Sequence, residues 1–174
     1  MARSCLMFAA ALLASASPAF AEAPPPANSL IDYSGFQRLV GEVGPLRETR
    51  RIGWERFATG ANAGNAVLLD ARSAADFARG HISGAVNLPF SEFTDDKLAK
   101  VLGPDKDRPI YIYCNNNFSD NRTPVVTKRV ELALNIPTFV NLVGYGYGNV
   151  WELADVVSIA DPRMGWVVER EQSI

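Results

Sequence analysis

Two short apolar runs restrict the fold of this 174-residue chain more than any other feature. Residues 66–70 and 110–113 are dominated by apolar and aromatic side chains, and they lead into Asp70 and Cys114 respectively. Short apolar runs bounded by turn signals are typical of parallel strands that are buried on both faces. Helical spacing and turn residues separate the runs, so we expect a three-layer α/β/α domain with a mostly parallel central sheet.

The composition excludes several classes of protein. Apolar residues make up 48% of the chain and charged residues 21%, which is typical of a globular domain that can bury a core. The formal net charge is −2, and residues of both signs are interleaved along the sequence. Such a chain offers no basic stripe to a nucleic-acid backbone. We therefore expect no nucleic-acid partner.

The first 21 residues have the pattern of a cleaved signal peptide. Arg3 supplies the positive start, residues 6–13 are apolar, and Ala19 and Ala21 fit a small-x-small cleavage site. The apolar stretch is shorter than the roughly 20 residues that cross a bilayer, which makes an uncleaved anchor the weaker alternative. The sequence predicts cleavage after Ala21, a periplasmic or secreted protein, and no membrane span after cleavage.

Cleavage would leave one thiol in the mature chain. Cys5 leaves with the signal peptide, so Cys114 remains without a partner for an internal disulfide. One interpretation is a buried structural cysteine. The three asparagines at 115–117 favour a polar loop instead, placed where backbone N–H groups and a helix N-terminus stabilise a thiolate. We expect Cys114 to be a nucleophile whose pKa is lowered by that loop.

The rest of the chain divides by composition into four segments. Residues 22–29 form a Pro-rich leader. Residues 30–49 form a helical extension, expected to contain one short helix because glycines and Pro45 interrupt its apolar spacing. Residues 50–157 contain the α/β domain, and residues 158–174 form a tail that packs on it.

Three elements are expected after Cys114. Thr123 and Pro124 suit an N-cap and a first-turn proline, which predicts a helix over residues 125–135. Residues 138–142 are predicted to form a strand and residues 150–157 a helix. Ligands of such sheets bind beyond the carboxyl ends of the strands, where Cys114 is expected to lie.

Two stretches resemble the rhodanese-homology domain family. The sequence VLLDAR at 67–72, with DFARGHISGAVNLP at 76–89, resembles that family's aspartate-x-arginine strand end and its glycine-histidine-isoleucine-x-glycine-alanine segment. Cys114 falls at the family's catalytic position. The resemblance implies a sulfurtransferase that passes sulfane sulfur through a persulfide on Cys114, without a cofactor. Its partners would be a small sulfur donor and a thiol or other thiophilic acceptor, with a partner protein as a further candidate acceptor.

The loop after Cys114 departs from that family's pattern. Catalytic rhodaneses usually carry an arginine five positions after the cysteine, where this chain has Ser119, and the first arginine here is Arg122. The guanidinium of Arg122 suits an oxyanion, and a surface pair with Asp120 is an equal alternative. Asp120 itself is expected to face solvent or to serve the start of the helix. The predicted loop of the site comprises Asn115, Asn116, Asn117, Phe118, Ser119, Asp120, Asn121 and Arg122.

Asp70, Arg72 and His81 are expected to support the site. The resemblance places Asp70 and Arg72 at a strand end, and we favour bonds from Arg72 to a carboxylate or to loop carbonyls over contact with substrate. His81 is the only histidine, and a hydrogen-bonded structural role is favoured over a catalytic base. Without a second histidine or cysteine in the mature chain, a metal site or a Cys/His dyad has too few parts.

Two other functions remain open from the residues. A non-catalytic rhodanese-like module would bind a partner or sense redox state through mixed disulfides at Cys114. A Cys-dependent phosphatase or arsenate-handling enzyme would use the same thiolate on an oxyanion. That enzyme needs a loop arginine and an acid, and Arg122 and Asp120 are the candidates for these roles.

Overall fold

The computed structural model describes residues 28–168. The predicted signal peptide, its cleavage after Ala21 and most of the Pro-rich leader lie outside the described residues. Of the described residues, those from 33 to 168 belong to one compact unit, and residues 28–32 belong to another. Within residues 28–168, no helix is both long enough and apolar enough to cross a membrane.

A five-stranded parallel sheet forms the centre of the unit. Its strands are β1 (Arg51–Ile52), β2 (Val67–Asp70), β4 (Ala85–Asn87), β5 (Ile110–Tyr113) and β6 (Val150–Leu153). They lie side by side in the order β1, β6, β5, β2, β4, so β5 is central. A separate antiparallel pair joins β3 (His81–Ile82) to β7 (Trp166–Val167). The predicted α/β class with a mostly parallel sheet is confirmed.

Within residues 28–168, five α-helices flank the sheet: α1 (Tyr33–Arg50), α2 (Trp54–Ala61), α3 (Ala74–Arg79), α4 (Asp95–Leu102) and α5 (Asn135–Gly144). Side chains of α1, α4 and α5 share one apolar core with one face of the sheet. The other face packs against α2 and the β3–β7 pair. Helices therefore lie on both faces, as a parallel sheet requires.

The alternation of side chains along β5 decides which core each residue joins. Ile110 and Ile112 face the core that contains α5, whereas Tyr113 belongs to the opposite core. Successive side chains of a strand point to opposite faces, so Cys114, in extended backbone directly after β5, lies on the α5 side. The strand therefore sets the face of the sheet on which the Cys114 side chain lies.

The helix predicted over residues 125–135 is wrong, as is the strand predicted over 138–142. Residues 125–129 carry no helix, and α5 begins only at Asn135. The four residues at i, i+3, i+4 and i+7 from the start of α5 are buried, which gives the helix one packed face. Pro137 falls in the first turn of α5, where a proline is tolerated. Helical spacing was present at 135–142, but its β-branched and aromatic residues suggested a strand.

The helix predicted over residues 150–157 is also wrong, because residues 150–153 form β6 beside the central strand. Val150 and Glu152 face the α5 side, and Leu153 belongs to the opposite core. A carboxylate inside a buried strand is unusual, and only a partner elsewhere in the chain makes it tolerable. That partner is Arg47, from α1.

The N-terminal extension contains one long helix instead of the predicted short one. Helix α1 has 18 residues and continues through Pro45. A proline inside a helix costs about 3 kcal/mol, so α1 must gain stability from packing. Val43 is buried against the core, and Arg47 binds Glu152 of β6 two residues after the proline. Tertiary contacts thus outweigh the tendency of Pro45 to end the helix.

The packing of α5 against the sheet predicts how a substitution in this helix changes the free energy of unfolding. Phe139→Ala should lower the free energy of unfolding by about 3–5 kcal/mol, because the ring is completely buried in the α5 core. Leu132→Ala is the matched control, since Leu132 is 64% exposed and should change stability by less than about 0.5 kcal/mol. Urea unfolding of both variants measures the difference, and equal losses would contradict the burial of Phe139.

Candidate active site

Cys114 lies at the carboxyl end of the central strand and is completely buried. It begins a 3₁₀ turn, Asn115–Asn117, and its Sγ accepts a hydrogen bond from the backbone N–H of Asn116 at 3.4 Å. The backbone N–H groups of Leu134 and Asn135 lie close enough to lower the pKa of the thiol. A helix N-terminus therefore faces the thiol, as predicted, but α5 supplies it from 21 residues further along the chain.

Burial raises the pKa of the Cys114 thiol above its ordinary value, because an apolar environment penalises the thiolate. The backbone hydrogen bonds from Asn116, Asn135 and Leu134 lower that pKa, and the nearby charge of Glu152 raises it. The net shift is upward, so the predicted lowering of the pKa is wrong. Asn116 and Asn117 use their side-chain amides to bind backbone groups, and the sulfur of Cys114 stays buried.

Asn117 joins the three elements that meet at this point. Its Oδ1 accepts hydrogen bonds from the backbone N–H of Cys114 at 2.9 Å and from Nδ2 of Asn135 at 3.0 Å. Its Nδ2 donates to the backbone oxygens of Leu153 at 2.8 Å and Asp155 at 3.1 Å. One amide thus fixes the end of β5, the end of β6 and the start of α5.

Residues 118–134, the connecting segment, are tied to the strand ends by side-chain amides. The Nδ2 of Asn116 donates to the carbonyl of Lys128 at 2.8 Å, and its Oδ1 accepts from the N–H of Lys128 at 3.1 Å. The Oδ1 of Asn121 accepts from the N–H of Thr127 at 3.0 Å. These bonds use the backbone groups that a helix over residues 125–135 would have used.

Asp70 and Arg72 form a buried ion pair beside the site. Nε and Nη2 of Arg72 donate to the carboxylate of Asp70 at 3.0 and 2.6 Å, and the hydroxyl of Tyr113 donates to the same carboxylate at 2.6 Å. The remaining guanidinium donors reach the backbone oxygens of Pro124 at 3.1 Å and Gly80 at 2.8 Å. Every contact of this guanidinium is a structural one.

His81 and Phe118 also serve the packing around the strand ends. Nδ1 of His81 lies 2.9 Å from the carbonyl of Phe77, and its ring stacks on that of Phe77 with centroids 3.7 Å apart. Phe118 is buried, and its ring meets Tyr113 edge-on at 5.9 Å. Ser119 donates its backbone N–H to Val157, which extends the contact between the two strand ends.

The two charged residues of the predicted loop do not form an oxyanion site. Asp120 accepts hydrogen bonds from Ser158 Oγ at 3.3 Å and from the N–H of Ile159 at 2.9 Å. It was expected to face solvent or to begin a helix, and it does neither. Arg122 is 71% exposed along its side chain and lies 4.0 Å from Asp120. The acid required by the phosphatase hypothesis is thus committed to the C-terminal tail.

A cavity of about 440 Å³ opens beside the thiol at the carboxyl edge of the sheet. Its wall includes Asn115 and Leu134, which flank Cys114, together with Lys128. Lys128 was not predicted, because only the fold of the connecting segment brings it to the strand ends. A larger cavity of about 530 Å³, lined by residues near Trp54 and Arg163, contains none of the predicted site residues.

Comparison of the sequence with protein families shows which family the chain belongs to. The sequence profile described as "Rhodanese-like domain" matches residues 54–154. The chain belongs to the rhodanese-like domain family. The match covers β2, β5 and Cys114, and it ends one residue after β6. Helix α1 and strand β1 lie outside it.

Curated relatives are similar to the chain over different lengths. The adenylyltransferase and sulfurtransferase UBA4 of Meyerozyma guilliermondii is 30% identical over 149 residues, which are 83% of this chain and 30% of that protein. The protein YqhL of Bacillus subtilis is 35% identical over 95 residues, which are 53% of this chain and 71% of that protein. The chain therefore spans less than a third of the length of UBA4. A protein named as a sulfurtransferase is thus among the relatives of this chain.

Solved structures of rhodanese-like domains are similar at low identity. The domain of the Alr3790 protein from Anabaena is 23% identical with a TM-score of 0.40, covering 62% of this chain and 96% of that one. A rhodanese from E. coli, solved with anions, is 22% identical with a TM-score of 0.39, covering 59% of this chain and 98% of that one.

Besides Lys128, three residues near Cys114 were not predicted from the sequence: Asn135, Glu152 and Arg47. Glu152 is 4% exposed and bound by Arg47, and Asn135 touches both Glu152 and Asn117. A lone acid in the apolar run VWEL was the available signal for Glu152. Among residues 28–168, no group of three or more His, Cys, Asp or Glu is placed to hold a metal ion.

The raised pKa of Cys114 predicts slow alkylation at neutral pH. In a Cys5→Ser background, the rate with iodoacetamide should rise about tenfold per pH unit between pH 7 and 9, because the thiolate is the reacting form. The same protein unfolded in urea provides the control, and its thiol should react faster at every pH in that range. A folded-state rate that levels off below pH 7 would contradict the raised pKa.

The Asp70–Arg72 pair predicts a second stability difference. Arg72→Met should cost about 3–5 kcal/mol of unfolding free energy, because the buried carboxylate of Asp70 loses its partner. Arg79→Met is the control, since Arg79 is 58% exposed and pairs with Asp76 at 3.5 Å. Chemical denaturation distinguishes the two, and a small loss for Arg72→Met would refute the structural role.

Proposed function

We propose that this rhodanese-like domain is a sulfurtransferase in which Cys114 carries sulfane sulfur as a persulfide. The observation that supports this most is the hydrogen bond from the backbone N–H of Asn116 to Sγ at 3.4 Å, beside which the N–H groups of Leu134 and Asn135 also lower the pKa of the thiol. Fixed amide dipoles stabilise negative charge on sulfur without reorganising during the reaction. The same donors suit a thiolate and the terminal sulfur of a persulfide.

The proposed reaction has two displacement steps. The Cys114 thiol first releases its proton to solvent, and the thiolate attacks the outer sulfur of thiosulfate. The sulfur–sulfur bond of the donor breaks, and sulfite leaves with the electron pair. A thiolate acceptor or cyanide then attacks the outer sulfur of the persulfide, which breaks the new bond and returns Cys114 as a thiolate.

Access to the sulfur is part of this proposal, because Cys114 is completely buried. The cavity of about 440 Å³ reaches the two residues that flank the thiol, Asn115 and Leu134. Lys128 and Arg72 stand at its wall as cations for an anionic donor, and Asp76 and Glu92 on the same wall partly offset their charge. A movement of the connecting segment, which Asn116 holds at Lys128, would open the sulfur to the cavity.

A second candidate function rests on the same burial. A rhodanese-like module that binds a partner needs no thiolate, and a buried thiol with a raised pKa holds little thiolate at neutral pH. Redox sensing by the same module would require a movement that exposes the thiol. Phosphatase or arsenate chemistry has less support, because Asp120 is bound to Ser158 and Ile159. Export to the periplasm, and a protein as sulfur acceptor, remain proposals drawn from the sequence.

Sulfur loading tests the proposed function. The purified Cys5→Ser chain, treated with thiosulfate or with polysulfide, should gain the mass of one sulfur atom on Cys114, and cyanide should remove it as thiocyanate. Cys114→Ser should gain none. Lys128→Gln should load more slowly than the Cys5→Ser chain with thiosulfate, which is anionic. If Cys114 takes up no sulfur from any donor, the proposal fails and the binding or redox-sensing module is preferred.

A further inference from the structure

A buried ion pair connects α1 to the strand beside Cys114. Nε of Arg47 lies 2.6 Å from Oε2 of Glu152, and Nη2 of Arg47 lies 2.6 Å from Oε1. The side chains are 19% and 5% exposed, so the pair is largely removed from water. Arg47 lies outside the part of the chain that matches the family, whereas Glu152 lies inside it.

The carboxylate of this pair leads to the thiol through two amides. Nδ2 of Asn135 lies 3.4 Å from Oε1 of Glu152 and 3.0 Å from Oδ1 of Asn117. The same Oδ1 accepts the backbone N–H of Cys114 at 2.9 Å. Asn135 is also one of the residues whose backbone N–H reaches the sulfur. Its position therefore depends on both Glu152 and Asn117.

Strand geometry places Glu152 close to Cys114 on the same face of the sheet. Glu152 pairs with Ile112 in the register of β5 and β6, and Cys114 is two residues further along β5. Neighbouring strands are separated by about 4.8 Å, and two residues advance about 6.6 Å, which puts the two Cα atoms about 8 Å apart. An unpaired carboxylate at that distance would oppose a thiolate in a poorly solvated site.

We propose that Arg47 is a positioning residue that controls the reactivity of Cys114, by neutralising Glu152 and by holding Asn135 against the sulfur. The helix before the matched domain is then a working part of the active site. The importance of this control for sulfur transfer rests on the proposed function, but the effect on the thiol itself does not.

Apart from Lys128 at the cavity wall, the charged groups on the elements around Cys114 are engaged in contacts of their own. On β2, Asp70 is paired with Arg72 and bonded by Tyr113. The first turn of α5 has no acidic residue. In the connecting segment, Asp120 binds Ser158 and Ile159. Glu152 is the charged neighbour that raises the pKa of Cys114, and Arg47 binds both of its carboxylate oxygens.

Charge variants of the full-length chain separate this control from simple loosening of α1. Arg47→Gln leaves Glu152 uncompensated and should raise the titration midpoint of Cys114 by about one pH unit, a tenfold loss of thiolate at a fixed pH below it. Glu152→Gln leaves Arg47 uncompensated and should lower the midpoint by a similar amount. The double variant, Arg47→Gln with Glu152→Gln, should titrate close to the original protein.

The midpoint is read directly from the NMR shift of isotope-labelled Cys114 Cβ against pH, in the Cys5→Ser background, so access to the thiol does not enter. Arg50→Gln is the matched control. Arg50 also fixes α1 to the sheet side, with its guanidinium 4.3 Å from the Trp151 ring centroid and 3.2 Å from Asn149 Oδ1, but it does not bind Glu152. Its midpoint should stay unchanged.

Opposite shifts for the two single variants support the proposal. Equal upward shifts in Arg47→Gln and Arg50→Gln, or no shift in Glu152→Gln, would overturn it. If Arg47→Gln does not fold, Glu152→Gln and the double variant still decide the matter. Sulfur uptake is measured on the same samples: midpoints that move as expected without any persulfide would remove the proposed function and leave the role of Arg47 intact.

Discussion

The side-chain amide of Asn117 is the interaction on which the arrangement of this protein depends. Parallel strands end with backbone groups that have no partner in the sheet, and buried groups of that kind must be bonded. Asn117 bonds the N–H of Cys114 and the carbonyls of Leu153 and Asp155, and it also receives the amide of Asn135. The thiol, two strand ends and a helix start thus share one fixed point.

Two buried ion pairs lie on either side of Asn117, and each fixes a different edge of the site. Asp70 and Arg72 secure the β2 side, with the guanidinium reaching backbone oxygens of Pro124 and Gly80. Arg47 and Glu152 secure the β6 side from opposite ends of the sequence. Buried pairs contribute little net stability but are costly to break singly, so they restrict the alternatives open to the chain.

Prediction from the sequence succeeded where local signals agree with burial, as in the first half of the domain. Strands β2 and β5 are largely apolar runs, and both form where the sequence predicts them. After Cys114 the elements depend on distant partners instead. Pro124 and Lys128 are bound by Arg72 and Asn116, which prevents a helix there, and Glu152 enters a strand only because Arg47 meets it.

The backbone dipoles that face Cys114 carry no net charge, and this affects how the site responds to ionic strength. Salt screens exposed charges over a distance of about 8–10 Å at ordinary ionic strength, but it hardly reaches buried amides or a buried ion pair. A loop with an exposed arginine would lose its hold on an anion as ionic strength rises. The environment of this sulfur is instead insulated, so its acidity is a property of the fold and not of the medium.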